Sequence, residues 1–203
     1  MPEEKKLSKG EQTRQAIIES AYTLFLSKGY HATSMRQIAD GAELAPGGIY
    51  NHFTGKEEIF AAVLDAYHPY HTIVPALDAV EGDTLDAFVR DAARRIRQET
   101  EGAPTKLMPL MFVELVEFQG RHVGHIAERM FPAFMNFFQK FSQHGGNLRA
   151  VPLPVMLRTF MILMIGFLLT EMVIKNVPVF KDMDLNWFDG MVDIYLHGIV
   201  EKE

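Results

Sequence analysis

Two pairs of side chains have the types and spacing that metal or acid–base chemistry uses: Glu114 with Glu117, and His122 with His125. Residues three apart share a helical face, so each pair can present two ligands to one point. A carboxylate-bridged bundle site needs more, a Glu-x-x-His pair from each of two helices and a Glu from each of two others. Here the pairs are Glu-x-x-Glu and His-x-x-His, with Gly120 between them. No HExxH, GxSxG or phosphate-cradling loop occurs. The chain has no Cys, which excludes thiolate ligands, disulfides and thiol nucleophiles. The four residues read as surface or pocket-edge polar groups. No metal, no cofactor and no enzymatic activity is expected.

A second constellation, Pro46, Gly47, Gly48, Asn51 and His52, has the chemistry of a groove reader. Glycines allow close backbone approach to a surface, an amide side chain can pair with a base edge, and a helix amino terminus favours phosphate. Such a group must be held by a small core. Ile17, Ala21, Leu24 and Phe25 recur at one helical face, and Lys28-Gly29 closes that helix. Ser34, with Gln37 three residues on, forms a capping box for a second helix that buries Ile38 and Ala39 and ends near Gly41. Pro46 suits the first turn of a third, very short helix. Ile49 and Phe53 would pack it onto Ile38 and Phe25, leaving the five residues outward. Thr54-Gly55-Lys56-Glu57 reads as a capping box for a fourth helix through Ile59, Phe60, Val63, Leu64 and Tyr67, ended by Pro69. Three short helices with a tight turn make a helix-turn-helix.

Beyond it the period stays helical and no alternating strand of useful length appears. Pro75 to Thr84 reads as a connection and Leu85 to Gln98 as an amphipathic helix. Pro104 opens a Met-, Leu- and Phe-rich segment to Phe118, and a helix covers about Arg121 to Gln143, bent at Pro132 and stopped by Gly145-Gly146. Pro152 and Pro154 introduce a helix to Ile174 that is apolar nearly all round, and Asn186 to Val200 is the last. The 203 residues, 48% hydrophobic and 23% charged, suit a globular chain rather than a disordered or low-complexity one. The longest unbroken apolar run, Phe160 to Leu169, is too short to span a bilayer. The amino terminus lacks the apolar core of a signal peptide. A cytoplasmic protein without a membrane partner is expected.

The run from Gly29 to Ala39 (GYHATSMRQIA), followed by Pro46 to Phe60 (PGGIYNHFTGKEEIF), resembles the amino-terminal domain of the TetR/AcrR transcriptional regulators. The match covers about Thr13 to Val63. It implies an all-α chain. Residues 1–67 would be a helix-turn-helix DNA-binding domain (motif 11–60), and 68–203 a helical effector-binding and dimerisation domain. It also implies that Ser34, Tyr50 and Lys56 bond phosphates, that Arg36 reaches a base, and that Gly47, Gly48, Asn51 and His52 lie in or along the major groove. Two residues depart from the family pattern. Glu43 stands where a turn Gly is usual, and Ala45 where Ser or Thr caps the third helix. From Met1 to Phe60 the Asp and Glu outnumber the Lys and Arg by eight to seven. Cation placement must therefore serve phosphate binding, with Lys28, Arg36 and Lys56 on one side and Lys5, Lys6 and Lys9 as an arm.

A helix apolar on every side needs cover on every side. Phe160, Leu163, Met164, Phe167 and Leu168, with Trp187, Met191, Ile194 and Tyr195 of the last helix, are read as a subunit interface. The family resemblance implies a homodimer there, suited to a palindromic operator. It also implies a small-molecule pocket among the carboxy-terminal helices. Met108, Met111, Phe112, Leu115, Phe134 and Phe138 would line it, with Tyr67, Tyr70 and Arg94 as polar contributors. The expected function is a homodimeric regulator, a repressor released from double-stranded operator DNA by a small apolar or amphipathic effector. The rival is a helical small-molecule- or metal-binding enzyme using Glu114, Glu117, His122 and His125. A third reading is a ligand-independent DNA-binding protein.

Overall fold

The computed structural model describes residues 7–100, 104–144, 148–174, 176–181, 183 and 185–199. Lys5 and Lys6 of the expected arm, Gly145-Gly146 and Val200 lie outside the described residues. The regular elements are helices: α1 (Lys9–Lys28), α2 (Met35–Gly41), a 3₁₀ turn (Gly48–Asn51), α3 (Lys56–Tyr67), α4 (Tyr70–Asp78), α5 (Leu85–Thr100), α6 (Pro104–Val113), a π turn (Glu114–Phe118), α7 (Val123–Gln143), α8 (Leu153–Ile174), α9 (Pro178–Lys181) and α10 (Trp187–Ile199). They gather into two compact units, and the first is discontinuous in sequence. It joins residues 7–68 to Pro109–Val123, and the second comprises Pro69–Met108 and the chain from Gly124 onward.

In the first unit α1 starts at a capping box. The Glu11 amide donates to Ser8 Oγ at 3.3 Å, and the Ser8 amide donates to Glu11 Oε2 at 2.8 Å. Gly29 closes the helix at φ 86, a conformation other residues rarely adopt. Ile17, Ala21 and Phe25 are buried, as are Ile38 and Ala39 of α2. Ser34 and Gln37 cap α2 as the spacing predicts. At the start of α3 the reciprocal partner differs from the expected Glu57. The Thr54 amide and hydroxyl both donate to Glu58 Oε2 at 2.7 Å, and these bonds hold the Glu58 carboxyl below its ordinary pKa. The helix ends at Tyr67, and His68 is already extended, as a residue before proline must be.

In the second unit the expected Pro75–Thr84 connection is shorter than read. Pro75 sits inside α4, where it removes only one backbone donor while Tyr70, Ala76 and Leu77 are buried. The core combines Phe88, Val89, Ala92 and Ala93 of α5, Phe137 and Phe141 of α7, Met156, Phe160 and Met164 of α8, and Phe188, Val192, Tyr195 and Leu196 of α10. The Tyr195 hydroxyl donates to the Met156 carbonyl at 2.9 Å, and burial pushes its phenol pKa up. Helix α8 runs well past the ten-residue apolar run. Its Leu153–Glu171 stretch is long and apolar enough to cross a membrane by length and composition, and 17% of it is buried.

Candidate nucleic-acid interface

The group read from sequence as groove-facing sits on the first unit. Ile49 and Phe53 are buried, as are Ile38 and Phe25, and the Arg14 guanidinium lies 4.7 Å over the Phe53 ring. Those anchors leave Pro46, Gly47, Tyr50 and Asn51 exposed, with Gly48 and His52 half-buried. Tyr50 is 58% exposed, which leaves its hydroxyl open to an outside partner. Ser34 and Arg36 are exposed at the start of α2. The Ser34 hydroxyl already works as a cap, accepting from the Gln37 amide at 3.3 Å.

The third element is a 3₁₀ turn of four residues, not the short α-helix expected. Its sequence explains this. Gly47 and Gly48 have low helix propensity, and no side chain caps the turn because its N-cap is Gly47, not the Ala45 position read from sequence. The Gly48 amide instead bonds the Ala45 carbonyl at 2.8 Å. Ahead of it Glu43 adopts φ 57, the left-handed conformation that a turn Gly would take without strain. Replacing Glu43 by Gly relieves a cost of about 1–2 kcal/mol and adds unfolded-chain entropy of about 0.5–1 kcal/mol. The expected net gain is about 0.5–1 kcal/mol, read as a rise in Tm of a few degrees by calorimetry. A lower Tm would show that Glu43 makes a compensating interaction.

Lys56 braces the turn between α1 and α2. Its ammonium donates to the carbonyls of Tyr30 at 2.7 Å and Thr33 at 2.8 Å, with His31 at 3.4 Å. It also lies 4.3 Å over the Tyr30 ring. Burial lowers its pKa from the ordinary lysine value, and nearby Glu117 opposes that shift. Its donors are thus occupied by the chain's own carbonyls.

Residues far away in sequence complete the unit. Phe118 of the π turn stacks on Phe60 at 4.8 Å and meets Tyr30 edge-on at 4.9 Å. Glu114, read from sequence as a surface or pocket-edge group, is fully buried, and its carboxylate accepts from the His122 amide at 2.7 Å. Glu117 pairs with His31, while His125 stands exposed near Glu128 at 3.7 Å. Glu114 and His122 thus meet across the two pairs while Glu117 and His125 have other partners, and among the described residues no group of three or more His, Cys, Asp or Glu could hold a metal.

The nine residues read as effector contacts are divided between the units. Tyr67, Met111, Phe112 and Leu115 belong to the first. There Tyr67 stacks on Tyr22 at 3.9 Å, and Phe112 and Leu115 are exposed. Tyr70, Arg94, Met108, Phe134 and Phe138 belong to the second. Tyr70 is buried with its ring 5.4 Å from the Arg129 guanidinium. Met108, Phe134 and Phe138 are half-buried. In the second unit a groove of about 430 Å³ is lined by Arg90, Arg94, Arg97, Gln98, Phe188, Asp189 and Val192, which includes Arg94 but none of the other eight.

Of the residues read as a subunit interface, Phe160, Met164 and Tyr195 lie in the chain's own core. Leu163, Phe167 and Met191 pack against that core, and Leu168 is half-buried. Trp187 and Ile194, also read as interface, are exposed, whereas the exposed apolar residues of α8 are Val155, Met161, Ile162, Ile165 and Val173, none of them in that reading.

The family model described as "Bacterial regulatory proteins, tetR family" matches residues 17–63. The probable HTH-type transcriptional regulator ArpR of Pseudomonas putida is 38% identical over 106 residues, 52% of this chain and 44% of ArpR. The chain thus spans less than half the length of that relative. The HTH-type transcriptional regulator SrpR of Pseudomonas putida is 28% identical over 167 residues, 76% of this chain and 71% of SrpR. The crystal structure of NalD, the secondary repressor of the MexAB-OprM multidrug efflux pump in Pseudomonas aeruginosa, aligns with a TM-score of 0.67. At 21% identity, over 96% of this chain and 100% of that one, this likeness is one of fold. Residues 17–63 thus carry the amino-terminal domain of the tetR family of bacterial regulatory proteins, and the chain as a whole shares the fold of NalD.

Proposed function

We propose that the protein is a cytoplasmic homodimeric repressor that leaves a palindromic operator when a small apolar or amphipathic effector binds its carboxy-terminal helices. One observation carries this reading. The same chain pairs an exposed edge of Arg36, Tyr50 and Asn51 with an apolar stripe on α8 and α10 that it does not itself cover. An uncovered stripe of this kind is a protein–protein or membrane contact. The other side of α8 sends Met156, Phe160 and Met164 into a core shared with α5, α7 and α10, which favours a second copy over lipid. Twofold symmetry then sets two reading edges on one side of the duplex, one helical turn or a related spacing apart.

The reading is tested by gel shift against the DNA flanking the protein's own coding region, with particle mass by ultracentrifugation in detergent-free buffer. A sequence-selective shift by a dimer supports it. A monomer that ignores every fragment at low salt ends it. Arg can pair with guanine O6 and N7, so Arg36→Ala is expected to lower discrimination at one base position by about 1–3 kcal/mol. Titration against a set of single-base operator variants reads this, and an unchanged preference removes Arg36 from base reading. The effector arm is supported by the half-buried Met108, Phe134 and Phe138, since Met and Phe adapt to varied apolar shapes. Calorimetry against a panel of hydrophobic compounds separates this from ligand-independent DNA binding.

A further inference from the structure

One polar cluster in the first unit centres on a buried carboxylate. The Glu114 carboxylate is 0% exposed, accepting from the His122 amide at 2.7 Å and lying 2.8 Å from the ring Nδ1. Across the ring, Nε2 is 3.5 Å from Glu57 Oε1 in the first turn of α3. That same oxygen accepts from Arg121 at 2.9 Å. Phe118 and Phe60 pack against the imidazole at 4.7 and 5.9 Å. The remaining charged and titratable groups of the cluster are His31, paired with Glu117, and Lys56 and Tyr30 beneath them. A carboxylate taken out of water requires a cation or several donors. The His122 backbone amide gives Glu114 one donor, and the His122 ring nitrogen stands in direct contact as the second.

A neutral imidazole has one ring N–H and can satisfy one carboxylate, whereas an imidazolium donates from both nitrogens. We propose that His122 is a proton-loaded latch. Protonated, it bridges Glu114 to Glu57 and fastens Pro109–Val123 onto α3; neutral, it keeps Glu114 and turns a lone pair toward Glu57. The π turn fits such a part, because π-bulges are found frequently at functional sites. Protonation of His31 beside Glu117 acts in the same direction, so the two pairs must be told apart.

Arg121 lies within the latched segment with an exposed side chain, which gives a local reporter. Trypsin cleavage after Arg121 is measured on the full chain and divided by the rate on the matching free peptide. Histidine changes charge within about pH 5–8, so measurements at about pH 8 and about pH 6 bracket it. The wild-type chain is expected to be at least about threefold better protected at the lower pH. His122→Gln and Glu57→Gln should both lose that difference, and Glu117→Gln should keep most of it. Glu57 is half exposed, so its substitution leaves the core intact even where His122→Gln does not fold. Wild-type protection independent of pH overturns the latch, as does a Glu57→Gln chain that keeps the full dependence. Cleavage is read without DNA, so failure of the latch is distinct from failure of the repressor reading.

Discussion

Replacing Ile162 and Ile165 together by Glu is expected to halve the particle mass and to lower operator affinity by roughly 10²–10⁴-fold. Both are exposed apolar side chains of α8, 58% and 47% accessible in the single chain. Two carboxylates pressed into an apolar partner surface would lose their water without gaining a cation. The single chain keeps them in solvent, so its fold should not suffer. Loss of affinity then follows from geometry. Each reading edge alone forfeits the second binding event, which linkage makes intramolecular. Ultracentrifugation and titration of a full and a half operator read the two effects separately. A double variant that stays dimeric moves the interface off α8. The same charges at Phe160 or Met164 would damage the chain's own core, so they would test folding rather than assembly.

Phe60→Ala is expected to destabilise the first unit by about 3–5 kcal/mol. That is a large share of the 5–15 kcal/mol typical of a whole domain. Phe60 is fully buried and contacts Phe25, Tyr30, Phe118 and His122 through ring–ring distances of 4.8–5.9 Å. For a chain of this size the loss corresponds to a fall in Tm of roughly 6–20 °C. Phe118→Ala attacks the same stack from the π turn. The double variant should cost less than the sum of the singles by about 0.5–1.5 kcal/mol, the worth of an aromatic pair beyond its area. Chemical denaturation of all three chains measures it. Strict additivity would mean that Phe118 does not hold Phe60.

What could be read from sequence was local. Capping by Ser34 and Gln37, closure at Gly29 and the anchors Ile49 and Phe53 lie within a few residues of what they shape, so spacing alone reports them. The 3₁₀ turn was less legible because Pro46, Gly47 and Gly48 permit several short conformations. On α8 nothing distinguished inward Phe160 and Met164 from outward Ile162 and Ile165. A helix apolar all round has no phase for a periodicity to reveal. Nor does any spacing announce that Glu117 meets His31, or that Arg121 meets Glu57 64 residues earlier. Those contacts depend on chain return, and the residues read as a failed metal motif are among the ones that make it.

That return limits how the molecule can be dissected. An excised piece ending at His68 would keep its capping boxes and its Phe25 contacts but strip the Phe118 cover from the Phe60 and Tyr30 rings. Hybrid regulators that graft this amino-terminal part onto a foreign sensor would inherit the same defect, unless the graft also carried residues 109–123. For this protein, modular exchange is a matter of two splice points rather than one.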